Sequence, residues 1–358
     1  MPSLSRPSLT LRNLGAALGA VLVACTGEQG GKSSGGVDLT GAGATFPYPI
    51  YSRWFSEYAV KTGVRINYQS IGSGGGIRQL AAGTVDFGAS EAPLSDEELA
   101  RVTGGRVVQL PLVAGAVAIV YHLPGVAGPL RLSGDLAADI FLGKVTRWND
   151  PRIRALNAGT PLPNQPILVV YRADPSGTTF VLADYFSRVS PAWKAGPGTV
   201  KEVRWPVGLG AKGNEGVAGQ VKQTPFAIGF VELAYAIQNR LALTALRNRA
   251  GAFVTPSVPS IAAAIAGVES RLGAPEDFRV SVVDDADPAA YPICSFTWIL
   301  LYERQVDADK GRKLADFIRW ALVSGRAHAE ALDYAPLSPT LATRVANAVD
   351  RLTFGPSR

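Results

Sequence analysis

Two cysteines and two histidines in 358 residues leave little room for several chemistries. Cys25 closes an apolar leader, so Cys294 is left alone, with no partner for an intramolecular disulfide or a thiolate metal site. Within Ile293-Cys294-Ser295-Phe296 it reads as a small buried hydrophobe. His122 and His328 lie far apart and form no HExxH spacing, which argues against a metal centre. No stretch beyond the leader is long and uncharged enough to span a membrane. Charged residues make up only 18% and form no basic cluster, so a pI near 9.3 is a poor argument for nucleic acid. A GxxxxGK[ST] loop is absent, so the chain hydrolyses no ATP by that route. Ser73 and Ser176 lack the G-x-S-x-G nucleophile elbow, which disfavours a hydrolase.

What is present begins with a leader. Arg6 and Arg12 precede the apolar stretch Leu14 to Ala24, the order of a secretory signal over residues 1–24. Its removal takes two arginines and no acid from a net charge of +6, leaving +4. Leu22-Val23-Ala24-Cys25 matches a bacterial lipobox, predicting a lipidated Cys25 as the mature N-terminus; a secretory signal with a chance cysteine is the plainer reading. Gly and Ser crowd residues 25–36, the composition of a flexible tether. The expected location is outside the cytoplasmic membrane, in a periplasm or on a cell surface, held by several lipid chains.

At ~150 residues per domain the length predicts two domains, and 47% hydrophobic content is enough for substantial cores. The clearest local signal is Tyr171-Arg172-Ala173-Asp174-Pro175-Ser176-Gly177-Thr178-Thr179. The apolar run Ile167 to Val170 ends there and an amphipathic run, Phe180 to Val189, begins, so it reads as strand, turn and helix start. Ser176 is a natural N-cap, and Gly177, Thr178 and Thr179 place backbone N–H groups and hydroxyls where a helix start attracts anions. Arg172 adds a planar fork of donors for an oxyanion, and Asp174 can hold that fork in one orientation. An ordinary capped helix with a surface ion pair is the alternative.

Two similar turns precede it. Thr40 to Pro47 leads into a helix over Tyr48 to Val60, and the strand Val64 to Tyr68 runs through a glycine-rich loop, Gly72 to Gly76, into a helix over Ile77 to Ala82. Thr84 to Glu91 reads as a strand ending on a carboxylate, and Ser95 with Glu98 as a capping box. Arg106 to Tyr121, broken by Pro111 and Gly115, predicts two strands across a domain crossing. Further helices are expected at Ser133–Leu142, from Asp150-Pro151, at Ser260–Leu272 and at Asp309–Ser324. Further strands are expected at Phe226–Val231, Phe278–Val283 and Ile293–Tyr302. This alternation predicts α/β layers with mostly parallel sheets. Three Gly/Ser/Thr-bearing turns, with Glu91 and Arg172 at strand ends, fit a cleft that holds an oxyanion with few positive charges. Gly208-Leu209-Gly210-Ala211-Lys212-Gly213 fits a dinucleotide pattern, but Pro206 stands where its strand should be, so it reads as a glycine loop.

Taken together, several blocks resemble the substrate-binding proteins of bacterial high-affinity phosphate ABC transporters. They are Gly41 to Pro47, Tyr68 to Ser73, Val85 to Ser90, Ala92 to Asp96, Arg172 to Thr178, Trp205 to Gly210 with Lys212-Gly213-Asn214, and Leu332-Asp333-Tyr334-Ala335. The first and fifth are highly specific for that family. The resemblance implies a periplasmic-binding-protein-like α/β fold of two lobes, 37–112 plus 295–358 and 113–294, hinged by crossing strands over a ligand cleft. It implies phosphate-binding residues Thr45, Phe46, Ser73, Glu91, Arg172, Asp174, Ser176, Gly177 and Thr178. It further implies a monomer with no cofactor, no metal, no nucleic acid and no catalysis, delivering phosphate to a membrane permease with its own ATPase.

Two positions depart from the family's usual pattern. Gly74 stands where Ser is frequent, and Glu91 where Asp is usual. In the family that carboxylate accepts a hydrogen bond from the proton on phosphate. Sulfate has no such proton at neutral pH, and rejection of a ligand lacking a needed hydrogen can reach ~10⁴ to 10⁵-fold. Glu keeps the acceptor and adds a methylene, so phosphate selectivity is expected to survive. A binding protein for sulfate or arsenate and an extracellular phosphatase are the alternatives.

Overall fold

The computed structural model describes residues 38–126, 128–272 and 277–356. The leader 1–24, Cys25 and the tether 25–36 lie outside the described residues.

Val107–Tyr121 is one strand of 15 residues, not two. Pro111 is accommodated because the register slips beside it: Thr297 faces Val113 while Trp298 faces Pro111, leaving Leu112 as the extra residue. A bulge is where a strand tolerates a residue without an N–H. Gly115 leaves room for a ring, since a Cβ there would stand 2.5 Å from Phe46 Cε1. Almost wholly buried, the strand runs through the middle of a twelve-stranded sheet.

The main path of that sheet runs Ile66–Ser70, Leu39–Gly43, Phe87–Ser90, Cys294–Tyr302, Val107–Tyr121, Ala227–Glu232, Leu168–Arg172, Leu209–Ala211. Leu39–Gly43 and Leu168–Arg172 each pair parallel with both neighbours. Between these patches, Cys294–Tyr302 and Val107–Tyr121 run antiparallel to each other and to their outer neighbours. The expected parallel α/β layers therefore hold on either side of an antiparallel middle.

Helices cover both patches. Tyr48–Thr62 buries Ile50, Tyr51, Trp54, Phe55 and Tyr58. Ala308–Val323 buries Leu314, Phe317, Ile318 and Leu322, and Phe317 packs its ring against Phe55 at 5.3 Å. The expected glycine loop at 72–76 is instead the first turn of a helix, Ser73–Ala81. Its glycines allow that turn to lie on a strand, for a Cβ on Gly76 would meet Ala42 O and Gly43 Cα at 2.4 Å.

Phe278–Val283 forms no strand. Phe278, Val282 and Val283 are buried, but the Phe278 carbonyl accepts from Trp298 Nε1 and Arg279 bonds Asp277 and Asp96, so the run packs without a ladder partner. The helix expected to reach Leu272 ends at Ala266 and gives way to a single 3₁₀ turn, Glu269–Arg271. Cys294 is buried, as expected, and forms no disulfide among the described residues. No helix of the described residues is long and apolar enough to cross a membrane.

Candidate functional site

Four strand-to-helix turns meet at one place. Leu39–Gly43 delivers Thr45 and Phe46. Ile66–Ser70 leads to Ser73, the first residue of its helix. Leu168–Arg172 leads to the helix Gly177–Val189, whose N-cap Ser176 accepts from Thr179 N–H at 3.1 Å. The fourth, unforeseen turn joins Leu209–Ala211 to the helix Gly213–Gln223, so the segment read as a glycine loop is a short strand and a helix start. Glu91 follows the strand Phe87–Ser90. Within each parallel patch the turns follow the carboxyl ends of the strands. Because three antiparallel pairings separate the patches, they run in opposite directions, so those ends, with the unpaired N–H groups of their helix N-termini, face each other.

Side chains knit the turns together. Ser73 Oγ accepts from Gly177 N–H at 3.1 Å and donates to Glu91 Oε2 at 3.2 Å. Arg172 donates through Nε to Asp174 Oδ1 at 2.8 Å and through Nη2 to Asp174 Oδ2, the bidentate fork that its spacing suggested. Its Nη1 donates to Thr178 Oγ1 at 3.2 Å. Asp174 Oδ1 also accepts from Gly213 N–H at 3.0 Å, tying the third turn to the fourth. Ser176 N–H donates to the Lys201 carbonyl at 2.8 Å. Thr45, Phe46, Ser73, Glu91, Arg172, Ser176 and Thr178 are all buried.

The electrostatics centre on two carboxylates with opposite fates. Burial drives the Glu91 carboxyl up to about 7, against the pull of Arg172 and the Ser73 hydroxyl. Its Oε1 is buried and has no hydrogen-bond partner among the described residues. Burial also pushes Asp174 upward, but the hydrogen bonds and charge of Arg172, with Gly213 N–H, outweigh it and hold that carboxyl below its ordinary value. The site therefore joins one guanidinium committed to one carboxylate with a second carboxyl poised between charged and neutral. Surrounded by hydroxyls and N–H groups, that combination suits an anion able to offer a proton at one oxygen.

Four further residues belong to this framework. Asn214 Nδ2 donates to Thr45 Oγ1 at 2.8 Å and to Thr178 Oγ1 at 3.3 Å, and its Oδ1 accepts from Glu232 N–H at 2.9 Å. Tyr235 OH donates to the Thr45 carbonyl at 2.7 Å. Tyr334 OH lies 2.6 Å from the Phe46 carbonyl and 3.0 Å from Glu232 Oε2. Burial pushes the Glu232 carboxyl well above its ordinary range, against hydrogen bonds from Tyr334 and Ala234 N–H. Asn214 and Tyr334 stand in blocks that carried the family resemblance, which was their one signal. Glu232 and Tyr235 had none, because their roles depend on contacts across 102 and 190 positions.

The profile of the PBP superfamily domain matches residues 27–324. The chain is 46% identical over 302 residues to the phosphate-binding protein PstS of Pasteurella multocida, covering 84% of this chain and 86% of that one. To that of Xylella fastidiosa it is 44% identical over 310 residues, covering 86% and 84%. Among solved structures, the high-affinity periplasmic phosphate-binding protein PfluDING bound with phosphate superposes with a TM-score of 0.71 at 20% identity, covering 87% of this chain and 93% of that one. The fold and the matched profile are those of a substrate-binding protein of the PBP superfamily. Within it, the chain belongs to the family of phosphate-binding proteins PstS.

Proposed function

We propose that the protein binds inorganic phosphate outside the cytoplasmic membrane and delivers it to an ABC permease for import. In this reading Arg172 is the one direct cation, oriented by Asp174. Thr45, Ser73, Ser176 and Thr178 supply hydroxyls, and Phe46 and Gly177 supply backbone N–H groups. The observation that carries the reading is Glu91: a buried carboxyl, with one oxygen unpartnered among the described residues, set among groups that otherwise suit an anion. A fully deprotonated anion would repel it, whereas an oxyanion that keeps a proton satisfies it.

The lobes 37–112 plus 295–358 and 113–294 would close over phosphate as a hinge, with Val107–Tyr121 and Cys294–Tyr302 as the crossing strands. Ser73, which hydrogen-bonds Gly177, and Asn214, which hydrogen-bonds Thr45, join residues of the two proposed lobes. Residues 1–24 would be the export signal and Cys25 the lipid attachment point, the protein acting as an anchored monomer. Binding without turnover is part of the reading, so a chromogenic phosphate ester should stay colourless with freshly purified protein. Calorimetry on signal-free protein, stripped of ligand by partial unfolding and dialysis, should give one-to-one phosphate binding; no binding would overturn the proposal.

One observation favours a second oxyanion under defined conditions. With its carboxyl at about 7, Glu91 becomes neutral below that pH and turns from acceptor to donor. Sulfate, repelled by the carboxylate, is compatible with the protonated form.

A further inference from the structure

Asn214 is fully buried in the first turn of the helix Gly213–Gln223. Backbone contact fixes which way its amide points: Oδ1 accepts from Glu232 N–H at 2.9 Å, so Nδ2 carries the hydrogens turned toward the cleft. One goes to Thr45 Oγ1 at 2.8 Å and the other to Thr178 Oγ1 at 3.3 Å. Each hydroxyl oxygen accepts a second hydrogen bond. Thr45 Oγ1 takes Asn214 N–H at 3.2 Å, and Thr178 Oγ1 takes Arg172 Nη1 at 3.2 Å. A hydroxyl has two lone pairs and one hydrogen. With both lone pairs occupied, the remaining capacity of each is donation.

We infer that Asn214 is a positioning residue that fixes the hydroxyls of Thr45 and Thr178 as donors, so that the cleft reads oxygen acceptors there and a proton only at Glu91. This deepens the phosphate reading and rests on it. The consequence is a divided site. Thr45, Thr178 and Arg172 donate only to bare oxygens, and the protonated oxygen of the anion is left to the Glu91 side. A hydroxyl free to turn would accept a phosphate proton as readily as donate, and the site would no longer specify where that proton lies. Selectivity by Glu91 therefore depends on an amide that need not touch the ligand.

The test is a double-mutant cycle on phosphate affinity, measured by calorimetry at pH 8 on stripped protein. In wild type, Thr45→Val removes a hydrogen bond to a charged ligand and should weaken binding about 10- to 150-fold. Asn214→Asp puts an acceptor where the donor was, so both hydroxyls turn to donate to it and present lone pairs to the anion. In that background Thr45→Val should strengthen binding, reversing its sign. The added negative charge alone would lower affinity without reversing the valine effect. Asn214→Ala guards against an unfolded Asp variant: there the hydroxyl is free to turn, and Thr45→Val should cost less than in wild type. Melting of each ligand-free variant checks the fold. An equal valine cost in every folded background overturns the role of Asn214. Failure of wild type to bind phosphate overturns the underlying reading instead, so the two failures are distinct.

Discussion

A Cβ on Gly177 would stand 2.2 Å from Glu91 Oε2. The same atom would lie 2.7 Å from Ser73 Oγ and 2.9 Å from Glu91 N, so the helix start has closed on the carboxylate as far as two backbones allow. Helix propensity alone predicts that Gly177→Ala stabilises the protein by up to about 1 kcal/mol. Here crowding wins. The substitution should cost about 1–3 kcal/mol and greatly weaken phosphate binding, checked by denaturant unfolding and calorimetry.

Arg172 and Asp174 form a bidentate pair that Lys cannot reproduce. Arg172→Lys keeps the charge but frees it from the fork, and should reduce phosphate affinity about 10- to 100-fold with little change in fold. Asp174→Asn leaves a buried guanidinium without its counter-charge and keeps only one acceptor oxygen: if that oxygen stays on Gly213 N–H, the amide NH2 faces Arg172 Nη2, so the change should lower both affinity and stability. The native Asp174 carboxyl sits below its ordinary value. It therefore contributes stability that is present above the unfolded carboxyl range and lost as acid protonates the folded form. In Asp174→Asn that share of the acid sensitivity should vanish from unfolding curves taken across low pH.

Glu91 has the opposite sign. Its carboxyl binds a proton up to about 7 in the folded protein but only up to about 4.5 when unfolded. Between those values the folded state holds more proton, so ligand-free stability falls as pH rises, by about 3 kcal/mol in all. Glu91→Gln removes that slope. The difference between wild type and Glu91→Gln in unfolding free energy should grow from pH 4.5 to pH 7 and then level off. A flat difference would mean that Glu91 titrates normally.

Tyr334 holds the Phe46 carbonyl and Glu232 together beneath the site. Tyr334→Phe strips a hydrogen bond from two buried groups, and Glu232 Oε1 is already without a partner among the described residues. The variant should lose about 1–3 kcal/mol of stability while phosphate affinity changes far less, because Tyr334 acts behind Phe46.

Much of this was legible in the chain. Pro-Ser-Gly-Thr after an apolar run marks a helix start by local rules, and the structure has one, with Ser176 as its cap. The Arg172–Asp174 fork was readable because two residues of separation bring the partners together in any extended strand end. Where the reading slipped, distant contacts decided. Pro111 and Gly115 break strands by propensity, yet a bulge opposite Trp298 and the Phe46 ring keep Val107–Tyr121 whole. The glycines at 74–76 look like a loop, but packing on Leu39–Gly43 makes them helical. Asn214 reaches Thr45 across 169 positions, and no local pattern records such a bond.

The most direct test is calorimetric titration of stripped, signal-free protein with phosphate and sulfate at pH 8, in wild type and in Glu91→Gln. Wild type should bind phosphate one-to-one and reject sulfate, and Glu91→Gln should narrow the gap between them, since its amide can donate to either anion. Lowering the pH below about 7 should bring sulfate into wild type as Glu91 takes up its proton. Equal binding of sulfate and phosphate by wild type at pH 8 would contradict the account, for Glu91 would then not be reading the proton on the ligand.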